Sequence, residues 1–90
     1  MKEFSTVKNG STGTDVYILQ SILRMLQYRG KDGKPIDING VCTENTVYAI
    51  NTFQETQRAY GYECGTDGHN DGMFGSKCWS ALFGYDKESK

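Results

Sequence analysis

The chain is short of histidine, cysteine and proline and has no surplus of positive charge. It holds one histidine, one proline and three cysteines without a C-x-x-C pair. A lone histidine cannot supply the usual zinc ligand set. Ten Lys and Arg against eleven Asp and Glu leave no positive surplus to neutralise phosphates or anionic lipid, so neither nucleic acid nor a membrane is an expected partner. No apolar run approaches the roughly 20 residues that span a bilayer, and Met1 to Ser5 carries no apolar signal-peptide core. Cys42, Cys64 and Cys78 form an odd set, which argues against a full disulfide framework. They read as free or packed thiols; a single bridge is compatible, and the sequence does not choose among its three pairings.

What is present suffices for one folded domain. The 90 residues include 37% hydrophobic side chains, six Tyr, four Phe and one Trp, too apolar for a disordered chain and too short to divide between two cores. The expected unit is a single all-α domain over 1–90, with its core at about 7–84 and a flexible polar tail at 85–90. After the turn cluster Asn9 to Gly13, Ser11 or Thr12 is a candidate cap, with Asp15 in the first turn completing a capping-box-like pattern. Val16, Leu19, Leu23 and Leu26 share the inner face of a first helix, with Tyr17, Gln20 and Arg24 on or toward the opposite one and an end near Tyr28. Gly30 to Asn39 reads as a loop pinned by Ile36 and Ile38. A second helix from about Thr43 turns Thr46, Ala49, Ile50 and Phe53 inward, with Tyr60 at its inner end, and Gly61 stops it. After the glycine-rich stretch Tyr62 to Gly75, Ser76 caps a short third helix whose apolar face is Trp79, Leu82 and Phe83.

The chain also repeats itself. At an offset of 32 positions Asn39-Gly40-Val41-Cys42 meets Asp71-Gly72-Met73-Phe74, and Ala49-Ile50 meets Ala81-Leu82. At an offset of 34, Val16, Leu19 and Gln20 meet Ile50, Phe53 and Gln54. Each copy joins a glycine turn to a helix.

These motifs resemble the peptidoglycan-binding domain family of bacterial and phage cell-wall hydrolases. The residues carrying the resemblance are Gly10 to Gly13, Val16-Leu19-Gln20, Asn39 to Thr43, Thr46-Ala49-Ile50-Phe53-Gln54, Asp71 to Gly75, and Cys78-Trp79-Leu82. The chain departs from the family pattern at Asn39, Cys42, Thr43 and Cys78, and its loop Glu63 to Asn70 is longer than usual. The resemblance implies a three-helix bundle with two glycine-rich turns, no catalysis and no cofactor. It implies a monomer that binds the glycan and stem peptide of peptidoglycan in a shallow groove and targets a linked endolysin or autolysin to the wall. Its place would be the cell wall or the exterior, or it would be released from a phage-infected bacterial cytoplasm. The expected ligand-binding residues are Gln20, Tyr28, Asn39, Gly40, Thr46, Asp71, Gly72 and Trp79, with turn and helix-start amides receiving stem-peptide carboxylates. A rival reading of the same fold is a protein-interaction or pro-segment module.

Other constellations weigh less. Asp67 to Gly72 has alternate oxygen donors like a calcium loop, but the twelfth position is Cys78 instead of a bidentate Glu. A cysteine nucleophile would depend on His69, and packing explains Cys78 better. No acidic residue sits in an apolar stretch, as a glycosidase acid requires. Phe53, Phe74 and Trp79 read as core; Tyr17 and Tyr48 read as outward, where rings can stack on sugars. For Gln20 and Gln54, capping of neighbouring loops and ligand contact are both open.

Overall fold

The computed structural model describes residues 4–83, and the glycine and polar tail from Gly84 lie outside the described residues. Three helices are present among them: α1 (Thr14–Met25), α2 (Glu44–Ala59) and α3 (Ser76–Phe83). No strand longer than an isolated bridge joins them. This is a small all-α domain. Its Cα radius of gyration of 12.2 Å equals the roughly 12 Å expected of a globule this long, although more than half of the described residues lie outside the helices.

The helical spacing places the core. Val16, Leu19 and Leu23 of α1, Ala49, Ile50 and Phe53 of α2, and Cys78 and Trp79 of α3 converge with Val7, Ile36, Cys42, Cys64 and Phe74 from the connections. Phe53 lies 5.1 Å from Phe74 and 5.9 Å from Tyr28 between ring centroids, and Phe74 meets Trp79 edge-on at 4.9 Å. The N-terminal segment closes the bundle: Val7 and Phe74 exchange both backbone bonds at 3.1 and 2.7 Å, Trp79 Nε1 donates to Ser5 O, and Phe4 stacks on Trp79.

Several details differ from the periodicity. Neither Ser11 nor Thr12 caps α1: Gly13 precedes the helix, Ser11 Oγ accepts from Lys8 N, and Asp15 accepts from Ser5 N. The reason is tertiary, since Ser11 and Thr12 are held alongside Val41 and Cys42. Leu26 and Tyr60 are exposed C-caps rather than inner-face residues, and α1 ends at Met25 rather than near Tyr28. Ser76 is the first helical residue; Gly75 stands before it, its carbonyl accepting from Trp79 N. Phe83 is partly exposed and packs on Phe4 and Trp79, while Cys78 and Ala81 fill the buried side of α3. Gln20, expected toward the outer face, is buried to 1% exposure.

The cysteines are not all free. Cys64 and Cys78 form a disulfide with Cα atoms 5.2 Å apart, and only Cys42 is free, buried in the core. The bridge pins the second irregular stretch to α3. Within that stretch Thr66 and His69 exchange backbone bonds of 2.9 Å across Asp67 and Gly68, both at positive φ, the geometry of a two-residue hairpin turn. Arg58 ties it down further, donating to Cys64 O at 2.7 Å and to Asn70 Oδ1 at 2.8 Å.

Candidate binding surface

The repeat in the sequence is a repeat of one device, a buried glutamine holding a glycine turn. Gln20 Oε1 accepts from the backbone amides of Asn39 (3.0 Å) and Gly40 (2.8 Å), while its Nε2 donates to Val41 O (2.9 Å), Thr46 Oγ1 (3.1 Å) and Asn39 Oδ1 (3.3 Å). Thirty-four positions on, Gln54 Oε1 accepts from Asp71 N (3.1 Å) and Gly72 N (3.4 Å), and its Nε2 donates to Asp71 Oδ1 (2.8 Å) and Met73 O (2.9 Å). Asn39 and Asp71 each accept from the amide two residues on, closing the turns. Gly40 and Gly72 have φ of 79° and 71°, which only glycine adopts without cost.

These bonds decide what the expected site residues do. Gln20, Thr46 and Trp79 are buried, at 1%, 2% and 4% exposure, with polar atoms bonded inside the protein. Loop capping accounts for both glutamines, and the amides of Asn39, Gly40, Asp71 and Gly72 face a glutamine oxygen rather than an incoming carboxylate. Asn39 and Gly40 lie together at the first turn, Asp71 and Gly72 at the second, and Tyr28 is half-buried beyond the end of α1 against Phe53. Burial alone would raise the Asp71 carboxyl, but hydrogen bonds from Thr66, Gln54 and the Met73 and Asp71 amides outweigh it and hold it below its ordinary value. Burial pushes the Cys42 thiol up to about 11, leaving it protonated and unreactive.

The two units differ at their surfaces. In the first, Gly13 and Tyr17 border the turn and leave a shallow recess of about 440 Å³ lined by Gly13, Thr14, Tyr17, Asn39 and Gly40. In the second, the equivalent positions are Val47 and Asn51, and Val47 crowds the turn so closely that a Cβ on Gly72 would come within 3.2 Å of it. The first unit is therefore open where the second is filled. Tyr17, 52% exposed, and Asn39 both line this recess. The sequence placed Tyr17 outward; that glycine at position 13 leaves room beside it emerges only from the comparison of the two turns.

A second hollow, of about 230 Å³, lies past the C-terminus of α1, lined by Arg24, Gln27, Tyr28, Arg29 and Pro35. Here too the helices repeat. α1 closes with Gln27 N donating to Arg24 O and Tyr28 N to Leu23 O; α2 closes with Gly61 N donating to Arg58 O and Tyr62 N to Gln57 O, all at 3.0 Å. Both are the same left-handed closure, but α2 uses Gly61 (φ 95°) and α1 uses Gln27 (φ 71°), a conformation that costs a residue with a Cβ about 1 kcal/mol or more.

Among the described residues no group of three or more His, Cys, Asp or Glu is arranged to hold a metal ion, and no helix is long and apolar enough to cross a membrane. Comparisons with protein-family models, curated proteins and solved structures find no match to this chain.

Proposed function

We propose that the chain is a non-catalytic module that binds bacterial peptidoglycan and holds a linked hydrolase at the wall, a finer reading of the three-helix fold as peptidoglycan-binding-domain-like. The observation that carries it is the pair of glutamine-held turns. The motif residues behind the resemblance, Leu19-Gln20 and Phe53-Gln54 in the helices and Asn39-Gly40 and Asp71-Gly72 in the turns, are the parts of one repeated device, which supports reading them as a motif rather than as chance spacing. The recess beside the first turn offers what a sugar recognises, an aromatic ring with a neighbouring carboxamide on a mostly rigid frame. Weak contact there suffices, because tethering raises the local concentration of whatever is attached.

The test is sedimentation of the domain with purified insoluble peptidoglycan. Retention on peptidoglycan but not on cellulose or chitin, without release of reducing sugars or free amines, is the expected result. Tyr17→Ala weakens retention about two- to tenfold without altering the fold. Equal retention on all three polymers, or none on peptidoglycan, removes the reading in favour of a protein-interaction module.

A further inference from the structure

We propose that the hollow at the end of α1 is a carboxylate-binding subsite, in which the guanidinium groups of Arg24 and Arg29 and the Gln27 amide receive the free carboxylate of a peptide. The inference rests on the peptidoglycan reading for the identity of that peptide, a wall stem peptide, but its geometry stands apart from the turns. Both arginines are exposed and line the hollow. Their hydrogen bonds are to backbone carbonyls, Arg24 to Ile36 O at 3.5 Å and Arg29 to Gly33 O at 3.0 Å, and among the described residues neither forms an ion pair with a carboxylate within 4.0 Å. Each guanidinium carries five N–H donors, so the backbone bonds leave most of the fork available to a bidentate anion. The Tyr28 and Pro35 rings supply apolar walls for the carbons beside it.

The second observation is Gln27 itself. At the matching position of α2 the chain uses Gly61, the residue that suits positive φ, whereas α1 keeps Gln27, a residue with a long polar side chain, in the unfavourable conformation at the edge of this hollow, which it lines. Strain held at a position where the repeat shows a relaxed alternative marks a side chain kept for what it contacts. A helix C-terminus is ordinarily a poor place for an anion. Here the carbonyls of Ile22, Leu23 and Arg24 are already taken by the amides of Leu26, Tyr28 and Gln27, and two full positive charges outweigh the residual dipole.

The experiment follows the arginine Nε–Hε NMR signals of the whole chain during titration with N-acetyl-D-alanyl-D-alanine and with its C-terminal amide. The free acid should move the Arg24 and Arg29 signals saturably, the amide should not, and raising the salt should weaken the effect. Arg24→Gln with Arg29→Gln should lower retention on insoluble peptidoglycan about tenfold. Gln27→Gly should raise the melting temperature by a few degrees while weakening the acid peptide several-fold, a combination that a purely structural role for Gln27 does not give. Arginine signals that ignore the free acid, or respond equally to the amide, overturn the proposal. So does a double arginine variant that sediments with peptidoglycan like the wild type. If wild-type protein fails to sediment but the acid still titrates the arginines, the subsite stands and the wall-binding reading falls.

Discussion

Gln20 and Gly40 are joined by a 2.8 Å hydrogen bond in which the buried carboxamide oxygen accepts from the amide of a residue with φ of 79°. The side chain of α1 thereby braces a turn that Asn39 also closes from within, by accepting from Val41 N. Gln20→Ala would leave two amides, a carbonyl and the Thr46 hydroxyl without this partner, at a cost of about 3 kcal/mol. Gln20→Glu keeps the acceptor but loses the donation to Val41 O, so it should not rescue stability at neutral pH. Urea denaturation followed by Trp79 fluorescence measures both.

The two turn glycines should respond unequally to alanine. Both substitutions carry the cost of positive φ, about 1 kcal/mol. A Cβ at Gly40 meets nothing closer than 3.6 Å, whereas one at Gly72 presses on Val47 at 3.2 Å. Gly72→Ala should therefore be the more destabilising in thermal unfolding, and adding Val47→Ala should narrow the difference.

The thiols should be distinguishable chemically. Reduction of the Cys64–Cys78 bridge, which spans 14 positions, should lower stability by up to about 3 kcal/mol through the freed loop. Cys42, buried with its thiol at about 11, should resist iodoacetamide in the native protein and react after unfolding, as mass spectrometry of the intact chain would show. Rapid native labelling of Cys42 would contradict its place in the core.

Asp71 makes stability acid-sensitive. Its carboxyl is held below the ordinary value of 3.8, so its contribution is present above that pH and is lost as pH falls through the lower folded value. Asp71→Asn copies Asn39 of the first turn and should fold, with a smaller loss of urea midpoint between pH 5 and pH 2 than the wild type. An unchanged pH profile would show that the hydrogen bonds at Asp71 do not depend on its charge.

The three helices, the two Asn-Gly and Asp-Gly turns and most of the core are legible in the sequence, because helical spacing and glycine after Asn or Asp are local signals that each segment carries alone. The inward placing of Phe53 and Trp79 followed from helical spacing, and that of Phe74 from its place after the glycine turn in the repeat. The use of the polar residues depends instead on how the segments pack. A glutamine beside an apolar face has the same spacing whether it meets ligand or backbone, and only the approach of the turns to α1 and α2 consumed Gln20 and Gln54. Likewise the pairing of Cys64 with Cys78 depends on how the second irregular stretch folds back, which no spacing of three cysteines encodes. The arginine hollow joins residues before and after a helix end to Pro35, at a point where Gln27 carries the chain through positive φ, a conformation that sequence assigns to glycine.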